Sequence, residues 1–206
     1  MKEKLIIVGA SGHGKVAADI AIKMSKWQRI AFLDDDESIE ISMGLEVIGK
    51  TADALTYKDE ADFFVAIGRN AIREKIQEKL IEQGLNVVSL IHPSAVIGTD
   101  VEIGVGTVVM AGTVINSSTR IGKGCIINTS SSLDHDNVVK DFVHVSPGVR
   151  IAGNVSIGEG TWIGIGSVIS NNVNICSGCK VGAGALVIKD IAEPGTYVGV
   201  PAKKAD

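Results

Sequence analysis

A small open parallel α/β sheet followed by a three-sided parallel β-solenoid is the fold class that this sequence predicts. Two observations predict it. From Ala95 to Asp190 an aliphatic residue returns at every sixth position, and ahead of that stretch short apolar runs alternate with glycine loops and helical patterns. With 206 residues the chain holds one large or two small domains.

In chain order, Leu5 to Val8 (LIIV) is a continuous apolar run closed by glycine, which predicts a buried parallel strand. Gly9-Ala10-Ser11-Gly12-His13-Gly14 follows, and then an amphipathic helix to about Ser25 with Val16, Ala17, Ile20 and Ala21 on one face. A strand, a glycine loop and a helix together form an anion site, because the helix N-terminus presents unpaired N–H groups and glycine lets a ligand approach the backbone. The spacing is GxxGxG, not GxGxxG, so a tight turn without a ligand stays open beside the phosphate-loop reading. Arg29 to Leu33 is a second strand, ending in Asp34-Asp35-Asp36. Carboxylates there either bind a ribose or a base, or form a solvated turn. A short excursion is expected at Glu46 to Ile48, and a third strand over Asp62 to Ile67, closed by Gly68-Arg69-Asn70. A helix from about Ala71 to Glu82 carries Ile72, Ile76, Leu80 and Ile81, with Gly84 as its C-cap. Asn86 to Leu90 is the last strand of this Rossmann-like sheet, and Ile91-His92-Pro93-Ser94 leads into the repeats.

The repeats divide into sixteen hexapeptides whose third place is always aliphatic, from Ile97 and Ile103 through Leu133 to Val181 and Val187. Neither a helix nor a hairpin has that period. A six-residue strand and corner does, with the third residue inward and the fifth outward at the corner; three blocks close one turn of eighteen residues, and turns stack at ~4.8 Å. A little over five turns result. The pattern itself leaves the hand of the coil open. After Asp190 the column stops, and the segment to Lys203 is expected to cap the raw strand edge. The domain boundary falls at 91/92, giving domains 1–91 and 92–206.

Composition removes several function classes. A net charge of −4 with no basic stripe argues against nucleic acid. No apolar run is long enough to span a bilayer, and the N-terminal apolar stretch runs into a glycine loop, as a strand does and a signal peptide does not. Cys176 and Cys179 have CxxC spacing, yet Cys125 and Cys179 occupy the small first place of the repeat and there is no second ligand pair. The three thiols are therefore taken as structural, with no metal expected, in a reducing cytoplasm.

Of the four histidines, His135 is in a fifth, outward place between Asp134 and Asp136. A corner imidazole with a carboxylate beside it suits general-base chemistry; a surface histidine at a turn is the other reading of the same residues. Gly153 comes eighteen residues later, one turn along the same edge, where its N–H is placed to serve an oxyanion. Ile165 and Ala183 are related in the same way on another edge, and His144 is on the face leading to it.

Taken together, IIVGASGHGKV, AFLDDD, FFVAIGRN, IHPSAVIG, the unbroken hexapeptides, LDHD, FVHVSPG and GVPAK resemble the hexapeptide-repeat acetyltransferases of the sialic acid O-acetyltransferase type. The likeness spans essentially the whole chain and is nearest to the bacterial UDP-4-amino-sugar N-acetyltransferases of the bacillosamine pathway. It implies a left-handed parallel β-helix, a homotrimer, and acetyl-CoA bound between adjacent solenoids. It implies His135 as catalytic base supported by Asp136, which stands where close relatives carry Glu, with Asp134 as the alternative support. It implies acetyl-CoA contacts at His144, Gly153, Ile165 and Ala183, the last where a relative has Gly. It implies nucleotide-sugar contacts at Ser11, Gly12, His13, Asp34, Asp35 and Gly68. The activity expected is direct acetyl transfer to the 4-amine of a UDP-linked 4-amino-4,6-dideoxy-N-acetylhexosamine in the cytoplasm. O-acetylation of a sialic acid hydroxyl, or a non-catalytic nucleotide-sugar-binding solenoid, are the alternatives.

Overall fold

A computed structural model describes residues 2–205 and divides the chain into two compact units, Met1–Pro93 and Ser94–Asp206. In the first unit β1 (Lys4–Val8), β2 (Arg29–Leu33) and β3 (Ala61–Val65) form a parallel sheet in the order β2-β1-β3. Every residue of β3 is buried, as expected of a strand covered on both faces. Its one carboxylate, Asp62, accepts hydrogen bonds from Trp27 Nε1 at 2.9 Å and Asn86 Nδ2 at 2.7 Å.

Two helices cover the sheet, α1 (Gly12–Met24) and α2 (Asn70–Glu82). On α1 the buried face is Gly14, Ala17, Ala18, Ile20 and Ala21; Val16, expected inside, is exposed. On α2 the departure is larger. Ile72 and Ile81 are exposed, while Arg73 and Gln77 are fully buried along with Leu80. Arg73 explains itself: its guanidinium donates to the carbonyls of Ile67 and Gly68, at 3.0 and 3.3 Å, and to Asn70 Oδ1 at 2.9 Å. A planar fork thus ties the loop after β3 to the first turn of α2. Gly84 does terminate α2, with φ +73° and its N–H on the Ile81 carbonyl. The expected fourth strand contracts to a single parallel bridge between Val87 and Phe63. The excursion near Glu46 is a two-residue hairpin, Ile41–Ser42 against Leu45–Glu46.

The second unit is the β-solenoid. Two-residue parallel strands stack in register every eighteen residues on three faces. The first face runs from Val96–Ile97 through Ser132–Leu133 to Leu186–Val187. The second runs from Glu102–Ile103 to Asn174–Ile175, and the third passes through Ile126–Ile127, His144–Val145, Trp162–Ile163 and Lys180–Val181. From Val109 to Val187 every third-place residue is 3% exposed or less, so the inner column is continuous; at the open first turn Ile97 is 37% exposed.

Two details build the corners. The sixth place of each block from Asp100 to Gly184 has a left-handed backbone, filled by Gly, Asp, Asn or Ser, and once by Phe142 at φ 55°. Gly124, one turn away, makes room for that ring: a methyl there would lie 2.2 Å from it. First-place hydroxyls point inward and bridge turns. Thr107, Thr119 and Thr161 donate to carbonyls fifteen residues on and accept the N–H eighteen residues on. A small polar group in that place is therefore a satisfied part of the core.

The column also extends past Asp190. Ile191 pairs in parallel with Ile175, and Thr196–Val198 pairs with Lys180–Val181, so about six turns form. This last turn advances sixteen residues, not eighteen, and so escapes a six-residue period. Lys203–Lys204 then folds back antiparallel on it.

Candidate functional site

The corner between the first and second faces carries Ser117, His135 and Gly153 at successive turns. His135 is exposed, with its Nδ1 2.7 Å from Asp136 Oδ2. Asp136 reaches the ring because its left-handed backbone (φ 59°) turns the chain back at the sixth place. Asp134 makes a different contact: its Oδ1 accepts the His135 backbone N–H at 2.9 Å and the Asn116 side chain at 2.9 Å. The hydrogen bond to Asp136, with the charges of Asp134 and Asp136 behind it, raises the imidazole above its ordinary value. A carboxylate on Nδ1 selects the tautomer with hydrogen there, which leaves Nε2 as a lone pair for a proton from outside.

Gly153 has a second reason to be glycine. A Cβ built on it would lie 2.7 Å from both Cε1 and Nε2 of His135, so the imidazole rests directly on its backbone. Its φ is outside the left-handed region, so space and not conformation demands the missing side chain.

His144 is on the third face, nearly buried, with its ring 4.6 Å from that of Trp162 one turn on and its Nε2 3.3 Å from Asn128 Nδ2. Trp162 is pinned by its Nε1 donating to Ser146 Oγ at 2.9 Å. The two rings floor a groove of about 340 Å³ whose walls include Ile165, Lys180 and Ala183. Lys180 Nζ lies 6.0 Å from the Trp162 ring centre. Three of the four residues expected to contact a cofactor thus share one groove, which has an apolar floor and one cation at its rim. That chemistry fits a thioester arm with phosphates at its far end. The fourth, Gly153, is under His135. Ile165 and Ala183 are on the corner joining the third face to the first, so a single chain does not bring His135 into that groove. Trp162 and Asn128 escape the sequence reading because only stacking between turns makes them neighbours of His144, and Ser146 because its role is to hold Trp162 from the turn before.

In the first unit the glycine loop divides its labour. A methyl on Gly14 would meet the Gly9 carbonyl oxygen at 2.0 Å, so these two glycines serve packing; Gly12, with nothing within 4 Å of an added Cβ, faces open space. Ser11 is the N-cap of α1 but makes no side-chain cap bond. His13 has its Nε2 buried without a partner, and burial, with the Arg73 charge, lowers it to about 4. Asp34 uses both oxygens on backbone, accepting Ala10 N–H at 2.6 Å and Asp36 N–H at 2.9 Å, and Asp35 accepts Thr51 N–H at 2.9 Å. Both carboxylates therefore hold loops, and Asp34 shapes the glycine loop itself. Gly68 gives its carbonyl to Arg73.

The two first-place thiols follow the inward pattern, and Cys176, in a fourth place, is half-buried. Cys125 and Cys179 are buried, and Cys176 Sγ is 3.4 Å from Cys179 Sγ. Burial pushes the Cys179 thiol up to about 12, far from a reactive thiolate.

Residues 4–80 match the family described as PglD N-terminal domain, and residues 154–189 match the bacterial transferase hexapeptide (six repeats). The whole chain is similar to the acetyltransferase domain of PglB from Neisseria gonorrhoeae FA1090 in complex with acetyl coenzyme A, with 38% identity and a TM-score of 0.96 over 100% of both chains. It is similar to PerB from Caulobacter crescentus in complex with CoA and GDP-perosamine, with 34% identity and a TM-score of 0.92, covering 98% of this chain and 97% of that one. It is 36% identical over 113 residues to UDP-N-acetylbacillosamine N-acetyltransferase of Bacillus subtilis (strain 168), a span covering 53% of this chain and 52% of the relative.

Proposed function

The chain belongs to the hexapeptide-repeat sugar acetyltransferases, which use acetyl-CoA, and from that premise we propose that it acetylates the 4-amine of a UDP-linked 4-amino-4,6-dideoxy-N-acetylhexosamine with His135 as general base. One observation carries the assignment of the base: an exposed imidazole, bonded through Nδ1 to Asp136 and seated on Gly153, with Nε2 left for substrate.

In this reading the His135 Nε2 removes a proton from the sugar amine as its nitrogen bonds to the thioester carbonyl carbon. The Gly153 N–H donates to the resulting oxyanion. On collapse the carbon–sulfur bond breaks, the amide forms, and the imidazolium returns its proton to the departing thiolate. The donor's arm lies along His144, Trp162, Ile165 and Ala183, and its phosphates lie toward Lys180. Because the groove and His135 occupy different corners of one solenoid, the reacting pair is completed by an adjacent copy in a homotrimer, with the groove of one protomer facing the imidazole of the next. Gly12, Ser11, His13 and Gly68 receive the nucleotide-sugar; Asp34 and Asp35 act there through the loops they hold. No helix of the described residues is long and apolar enough to cross a membrane, and we place the enzyme in the cytoplasm with its nucleotide-linked substrate.

A GDP-linked 4-amino sugar is the second reading, favoured by the complex of the Caulobacter relative. Coenzyme A release measured over UDP- and GDP-linked 4-amino sugars and sialic acid separates amine from hydroxyl and one nucleotide from the other. With the preferred acceptor, His135→Ala is expected to lower kcat/KM by at least ~10²-fold while the melting temperature stays within a few degrees of the parent. Near-parental turnover removes His135 from the mechanism.

A further inference from the structure

The corner that presents His135 has a third carboxylate contact that the chemistry above does not use. Asp136 touches the ring, whereas Asp134 touches only the His135 backbone. Asp134 is itself held from the turn before. Asn116, eighteen residues earlier and in the same fourth place, donates its Nδ2 to Asp134 Oδ1 at 2.9 Å, the same oxygen that accepts the His135 N–H. The neighbouring backbone is stitched along the same line: Asp136 N–H bonds the Ser117 carbonyl at 3.1 Å, and Asn154 N–H bonds the His135 carbonyl at 2.9 Å. Resting on the reading of His135 as base, we infer that Asn116 is a positioning residue, fixing Asp134 so that the peptide at 134–135 and the imidazole it carries keep one orientation.

The physical case has two parts. An amide donor bonded to a carboxylate fixes the place of its charge, and Asn116 is also the largest influence holding Asp134 below the usual carboxylate range. A carboxylate is ionised where an imidazole titrates in either case, so the bond acts on the ring through the position of that charge. Asp134 is in turn the second influence raising His135, after Asp136. The turns on either side present Asn116, Ser117 and Ser118, and Ala152, Gly153 and Asn154, all uncharged. Asp134 and Asp136 are therefore the charges that the ring senses within this unit. A side-chain bond between turns recurs along this corner, from Asn154 to Asn172 at 2.9 Å, so the test must read the imidazole and not only stability.

The experiment compares the full chain with Asn116→Ala, Asp134→Ala and the double variant, following the His135 titration by NMR and the pH profile of kcat/KM. Asn116→Ala is expected to move the His135 titration and the acid limb of the profile to lower pH and to lower kcat/KM about fivefold, the weight of one hydrogen bond. Asp134→Ala should do the same, and the double variant should add little to it, since both act through one carboxylate. A titration that Asn116→Ala leaves in place, additive losses in the double variant, or a shifted titration with parental kcat/KM each overturns the inference. Full activity in His135→Ala would instead defeat the general-base reading while the titration still reports whether Asn116 and His135 are coupled.

Discussion

Two imidazoles in this chain sit in opposite settings. His135 stands on a solenoid corner, exposed, with carboxylates at ring and backbone, and is pushed toward its protonated form. His13 opens α1 at the end of the glycine loop, with Nε2 buried and a guanidinium nearby, and is held neutral down to about pH 4. The difference lies in what each neighbourhood offers a positive charge. Water and two anions solvate it at the corner, while a desolvated loop facing Arg73 repels it. A proton carrier belongs in the first setting. The second suits a neutral donor or acceptor held ready for a polar ligand group.

The sharpest way to break this contrast is Gly153→Ala. The added methyl strikes the His135 ring, so the imidazole must swing away while the backbone stays permissible, and kcat/KM should fall about 10²-fold. Unchanged kinetics would mean that the ring position seen here is unimportant. Next comes Asp136→Asn, which tolerates the left-handed turn but removes the charge. It should cost about tenfold in kcat/KM. It should also shift the acid limb to lower pH, because a less basic His135 is neutral further into acid. An immobile limb would show that another group sets it.

The smallest effect concerns stability at the other site. His13 is neutral when folded to about pH 4 and near 6.5 when unfolded, so the unfolded chain binds the extra proton between these values. Stability present above pH 6.5 is accordingly lost as pH falls toward 4. His13→Gln should flatten the dependence of the melting temperature over that window. Parallel curves for parent and variant would refute the buried-imidazole account.

Much of the fold is legible in the sequence, and the limits of that legibility fall at particular residues. The stacking of His135 on Gly153 and the shared corner of Ile165 and Ala183 are legible because an eighteen-residue turn converts sequence spacing into stacking. The glycine loop was legible as a loop, but the roles of Asp34 and Asp35 were not, since nothing local reveals that their oxygens accept N–H groups from Ala10, Asp36 and Thr51. Helix α2 misled for a related reason. Ile72 and Ile81 have helical spacing, but Arg73 found enough carbonyl partners to be buried instead.

By itself the sequence determined a three-sided column preceded by a parallel sheet, because an inward aliphatic every six residues and apolar runs between glycine loops are local patterns that few architectures can bury. Tertiary structure alone decided that the last turn is two residues short, that Trp162 and His144 floor a shared groove, and that Gly153 carries the His135 ring. Those outcomes depend on which atoms meet across turns, and that contact is a property of the folded column, not of any stretch of chain.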